Sequence, residues 1–169
     1  SHLNLTPVDM GQFGTMAALE SLKLTYIQPG GLKMFLGAHP LNLLGLKIDK
    51  PALTLTREDF LELLDFLAHP QCKLIYFGDF DSSFRYLSSS LAEDDDERLK
   101  DPMRSLTNVL RDKNSTLREF HIVDEDHHHY HRHRGELSLW CRMNRTCPNR
   151  LDLRKQLSDA YADQITAYL

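Results

Sequence analysis

Read by its apolar spacing, this sequence encodes a stacked α/β array: parallel strands, helices on the outside, and a helical cap at the C-terminus. Three observations lead there. A short motif, Leu-x-x-Leu-x-Leu with other apolar residues allowed, recurs at Leu19-Leu22-Leu24, Leu41-Leu44-Leu46, Cys72-Ile75-Phe77 and Leu117-Phe120-Ile122. Each copy follows a stretch of helical character that ends at a break. The chain of 169 residues, 41% hydrophobic, is long enough for one continuous core. A unit of helix, break and short strand cannot bury both apolar faces alone, whereas stacked copies can.

The elements follow in order. Leu3-x-Leu5 opens the chain as a partial strand copy, and the repeats run over about 3–124. "FGTMAALES", residues 13–21, predicts the first helix, and "GLKMFLGAHP", residues 31–40, the second. "REDFLELLDFLAHP", residues 57–70, predicts the third, with Phe60, Leu63, Leu64 and Leu67 at helical spacing. Pro40 and Pro70 stop these two helices because proline supplies no helical N–H. His39 and His69 are then parts of a stop signal with no chemistry of their own. "MRSLTNVLRDKNST", residues 103–116, predicts the fourth helix, ended by the turn chemistry of Asn114-Ser115.

Two polar interruptions stand out. Residues 88–101 combine a serine run with Glu93 to Glu97, all acidic, and predict a solvent-exposed insertion. Residues 124–135 predict a histidine-rich loop in which His127, His129, His131 and His133 could hold a metal loosely. Their continuous run differs from the i, i+4 spacing that aims two imidazoles from one helical face. The expected complement of metals and cofactors is therefore none. From Glu136 the pattern turns helical, and 136–169 predicts a cap with Trp140 in it. Leu153, Leu157, Ala160, Ile165 and Tyr168 lie near helical spacing there.

The segment "VLRDKNSTLREFHI" is similar to the helix-Asn-x-Thr-Leu-x-x-Leu-x-Leu run of leucine-rich repeats. With the other copies, it makes the chain resemble the long irregular helical type of that family, ribonuclease-inhibitor-like or F-box-linked. "MNRTCPNR" resembles the Leu-Asn-Arg-x-Gly-Arg segment that closes some of these arrays. The resemblance implies a leucine-rich-repeat solenoid acting as an adaptor or scaffold. Its narrowest form is the substrate receptor of a ubiquitin ligase, although no F-box-like segment is present.

Function follows from what the pattern exposes. Side chains alternate along a strand, so Lys23, Thr25, Gly45, Lys47, Tyr76, Gly78, His121 and Val123 are expected outward. Among them Lys23, Thr25, Lys47, Tyr76 and His121 are the candidate contacts for a protein partner, with Tyr76 as anchor. Gly45 and Gly78 would let a partner backbone come close. The sequence contains no Gly-rich phosphate loop, nucleophile elbow, H-E-x-x-H or paired-cysteine motif, so no catalysis is expected.

A second reading uses the basic stretch 132–155. There Arg132, Arg134, Arg142, Arg145, Arg150 and Arg154 could meet a nucleic acid or another polyanion, opposed only by Glu136 and Asp152. Only Trp140 interleaves with them, so base stacking is poorly served, and pairing with the chain's own acids is favoured. Homo-oligomer formation stays open through the strand edge of the first half-repeat. No apolar run approaches the roughly 20 residues of a spanning helix, so no membrane is expected. Cys72, Cys141 and Cys147 lack framework spacing, which points to reduced thiols in cytoplasm or nucleus. Cys72 reads as a small buried hydrophobe.

Overall fold

The computed structural model describes residues 6–24, 27–48, 56–81, 96–123, 131–156 and 158, with backbone alone for 79–81, 122, 123 and 131–134. Helix α1 (Pro7–Gly14) leads to β1 (Ser21–Leu24), α2 (Gly31–Gly37) to β2 (Gly45–Ile48), and α3 (Arg57–Ala68) to β3 (Tyr76–Asp81). The short α4 (Glu97–Lys100) and α5 (Pro102–Asp112) precede β4 (Glu119–Val123). Helix α6 (His131–Thr146) follows, and 150–156 are helical again. The strands form one four-stranded parallel sheet in the order β1-β2-β3-β4. Each parallel neighbour needs a crossover, and the helices supply it.

Most helices begin where the sequence provides a cap. Thr6 and Thr56 form capping boxes with the acid three residues on, Asp9 and Asp59. Asp101 accepts from the Arg104 N–H at 2.9 Å, and Pro102 occupies the first turn of α5. Helix α2 has no such cap of its own and starts from Gly30 at φ 78°, a left-handed conformation suited to glycine. The next unit fills the gap: the Asp59 carboxylate accepts from Gly30 N at 2.8 Å and Lys33 N at 2.7 Å.

The first helix lies at 7–14, not at 13–21 as the apolar spacing suggested. The Thr6-Pro7-Val8-Asp9 start signal outweighs that spacing, and the helix ends at Gly14. A Cβ at Gly14 would collide with the Phe35 carbonyl and lie 2.6 Å from Ala38 Cβ. Helices α1 and α2 therefore touch backbone to backbone at this point. Phe13 and Leu19 still pack against the core, but across the helix end.

A repeated hydrogen-bond pattern hands each unit to the next. The Glu20 carbonyl accepts from Leu44 N and Gly45 N at 2.7 and 3.1 Å. The Leu44 carbonyl accepts from Ile75 N and Tyr76 N at 2.8 and 3.0 Å. The Ile75 carbonyl accepts from Arg118 N and Glu119 N at 2.8 and 3.1 Å. The residue just before each of the first three strands thus holds the entry of its neighbour.

This register corrects the motif at two of its four copies. Leu22 pairs with Leu46 and Leu24 with Ile48, while Leu46 pairs with Phe77 and Phe77 with Phe120. The second copy is therefore Leu43-Leu46-Ile48, with Leu43 fully buried and Leu44 exposed. The third starts at Leu74, also fully buried, and passes through Phe77. A bulge follows, so that Phe80 rather than residue 79 meets Ile122. Both errors are shifts of two residues. Because the strand period is two, such a shift keeps the same residues facing inward, and apolar alternation alone cannot detect it.

The core lies between sheet and helices. Phe35, Phe60, Leu63, Leu67, Leu106 and Leu110 meet Leu46, Ile48 and Phe77 there, all fully buried. Each such side chain contributes about 1.5–3 kcal/mol of burial. Cys72 is buried among them. Pro40 and Pro70 follow the ends of α2 and α3 as expected. His39 takes φ 53°, and its ring lies 5.4 Å from that of His69.

Both polar interruptions are narrower than the sequence suggested. Asp96 caps α4 through the Arg98 N–H at 2.9 Å, and Leu99 is buried, so 96–101 belongs to the packed structure. The helix expected from Glu136 begins at His131, because the chain is already helical through 131–135. Residues 88–95 and 124–130 lie outside the described residues, as do Leu3 and Leu5.

Candidate protein-binding face

The sheet presents two rows of residues away from the core. In register, the first row is Ser21, Gly45, Tyr76 and Glu119. Behind it, Lys23 pairs with Lys47 and Lys47 with Gly78, and His121 lies next to this row on β4. Lys23, Glu119 and His121 are exposed, while Lys47 and Tyr76 are half-buried. Four of the five expected contacts thus share one face: Lys23, Lys47, Tyr76 and His121. Thr25 lies outside the described residues.

Tyr76 is held in place on this face. Its ring lies 5.6 Å from the His121 ring, tilted by 36°. It also folds along its own strand over Gly78, so that a Cβ there would collide with the hydroxyl and sit 2.7 Å from Cζ. Gly78 is consequently buried, which corrects the expectation that a partner backbone could approach it. Gly45 differs. A Cβ there meets only Ser21, whose Oγ is 3.4 Å away, with no other heavy atom within 4 Å. Glu119 is engaged by the Arg145 guanidinium at 3.4 Å.

Three arginines of the basic stretch, Arg145, Arg150 and Arg154, bond within the fold, although Arg145 and Arg154 stay more than half exposed. Arg150 donates from Nε to Asn144 Oδ1 at 2.7 Å and from its terminal nitrogens to the carbonyls of Leu110, Arg111 and Asn114. The first two carbonyls belong to the last turn of α5, where cations are favoured and the last acceptors need donors, and Asn114 lies just beyond it. The guanidinium also stacks 5.1 Å from the centroid of the partly buried Trp140 ring. Burial pulls the Arg150 pKa below its usual value. Arg154 pairs with Asp112 at 2.7 Å. With Arg111, it holds the Asp112 carboxyl down to about 2. Arg145 reaches the Arg118 carbonyl at 3.3 Å. Arg142 is exposed, and the side chains of Arg132 and Arg134 lie outside the described residues.

A buried amide pair joins this end to the rest: Asn114, expected only as a helix-ending turn, and Asn144, which the apolar pattern did not mark. Asn114 donates to the Leu67 carbonyl at 2.8 Å and accepts from Leu117 N at 2.9 Å. Asn144 donates to the Leu117 carbonyl at 2.9 Å. The Asn within "VLRDKNSTLREFHI" and the Asn-Arg of "MNRTCPNR" were the available signals.

Among the described residues no group of three or more His, Cys, Asp or Glu could hold a metal ion. His127 and His129 lie outside them, as do the side chains of His131 and His133. The three cysteines are unbridged. Among the described residues no helix is long and apolar enough to cross a membrane. No family model matches the chain, and no curated protein matches it.

Proposed function

We propose that the chain is a short leucine-rich-repeat-type solenoid that binds a protein partner through the outer sheet face and performs no chemistry of its own. The repeated hand-over at Glu20, Leu44 and Ile75 carries this reading, because it makes consecutive helix–strand units equivalent. A rigid row of outward side chains is what such stacking offers to a partner. Tyr76, braced by Gly78 and His121, has the preset aromatic character of an interface anchor. The unbridged cysteines fit a reducing compartment, cytoplasm or nucleus. The internal bonds of Arg145, Arg150 and Arg154 weigh against the polyanion reading.

Affinity capture from cell extract tests the proposal, comparing wild type with Tyr76→Asp and with a deletion of 88–95 that spares buried Leu99. Loss of one and the same partner in Tyr76→Asp only is the expected result. Loss in the deletion only would move the interaction to the acidic insertion and overturn the face as the site.

A further inference from the structure

The two glycines on the outer face are not equivalent, and their difference suggests what the face selects. Gly78 is roofed by its own neighbour Tyr76, whereas Gly45 leaves a gap in the row between Ser21 and Tyr76. That gap has backbone for a floor, the Tyr76 strand on one side and Ser21 on the other. The next residue of β2 on this face is Lys47, in register with Lys23 on β1. Neighbouring parallel strands lie about 4.8 Å apart, so the two lysines are adjacent on this face at the end of the gap. Each lysine also makes an interaction within the chain, so a ligand would exchange contacts there rather than fill an empty place. The acid described on this face, Glu119, is held by Arg145.

We infer that Gly45 floors a notch that accepts a large planar or apolar side chain from an extended peptide, with a neighbouring carboxylate of the same peptide reaching Lys23 and Lys47. The partner is thus an acidic segment carrying an aromatic residue. This inference rests on the binding role of the sheet face and narrows it to one chemistry. A Cβ at Gly45 has room and the residue is not in the left-handed region, so a valine there folds on a strand while filling the notch.

The probe is a fluorescent random copolymer of glutamate and tyrosine, followed by anisotropy at low salt. A lysine–tyrosine copolymer and polyglutamate serve as comparisons. The glutamate–tyrosine copolymer should bind wild type more tightly than either comparison. Gly45→Val should weaken it by about tenfold or more, the scale of one anchoring contact. Lys23→Glu with Lys47→Glu should weaken it similarly and flatten its salt dependence. Arg142→Glu, in the basic stretch, should leave it unchanged. Unaltered binding to Gly45→Val, or equal binding of the lysine–tyrosine copolymer, would overturn the notch. If a natural partner is lost with Tyr76→Asp yet retained by Gly45→Val, the notch falls and the sheet-face reading stands. Retention by both variants removes the two together.

Discussion

The carboxylate of Asp59 accepts the backbone N–H of Gly30 at 2.8 Å, so the first turn of α3 caps the start of α2 as well as its own helix. Its other oxygen takes Lys33 N at 2.7 Å, and Thr56 contributes both its N–H and its hydroxyl. One buried side chain thereby satisfies orphan donors of two helices in adjacent units. Asp59→Ala should cost about 2–4 kcal/mol, summing a lost cap and buried donors left unmet. Urea unfolding should show a clearly smaller loss for Asp9→Ala, whose capping box serves only α1.

Gly14 and Gly11 make a matched pair one turn apart in α1. Gly14→Ala drives a methyl into the Phe35 carbonyl and should cost about 1–3 kcal/mol or more. At Gly11 a Cβ meets Met34 no closer than 3.6 Å, ordinary contact, so Gly11→Ala should stabilise by about 0.5–1 kcal/mol through helix propensity. Thermal melts should move in opposite directions.

Arg150 supplies donors to four acceptors around the end of α5. Arg150→Ala should lower stability by about 2–4 kcal/mol, because the buried Asn144 oxygen loses its donor. Lysine should rescue little, since one ammonium cannot span the fork of contacts. Chemical denaturation of both variants beside Arg142→Ala, expected near neutral, checks this.

Asp112 gives the acid limb a defined shape. Its folded carboxyl sits at about 2, against an ordinary 3.8, owing first to the Arg111 hydrogen bond and then to Arg154. The folded state therefore holds the proton less tightly than the unfolded state. The stabilisation is fully present above roughly pH 4 and disappears as pH falls toward 2. Asp112→Asn should flatten the stability–pH curve in that window and change little of its slope above it.

The cysteines should differ in reactivity. Burial pushes the Cys141 thiol up to about 11 and raises Cys72 as well, so both stay protonated near neutral pH. Titration of the native protein with a thiol-specific disulfide reagent should modify half-exposed Cys147 alone. The other two should react only after unfolding.

Much of the fold was legible because helix spacing, proline stops and apolar alternation are local signals. Helices α2 and α3 fall within the stretches that predicted them, and α5 does so except for Pro102 at its start. Leu117-Phe120-Ile122 lies in register because no apolar residue sits two places away to compete for its start. At Leu41 and Cys72 such competitors exist in Leu43 and Leu74, and only the strand register chooses between them. The α1 boundary was missed because the capping box outweighed the apolar spacing downstream. On the sheet face, alternation placed Lys23, Lys47, Tyr76 and His121 together. It could not show that Tyr76 lies over Gly78, which depends on a rotamer. Nor could it show that Arg150 is consumed by carbonyls some 40 residues earlier in the chain.

Photo-crosslinking in cells from a benzophenone amino acid placed singly at His121, Lys47 or Met34 tests the binding role of the sheet most directly. Adducts to the same partner from His121 and Lys47, with none from Met34 on the helical side, are the predicted result. Adducts from Met34 alone would contradict it.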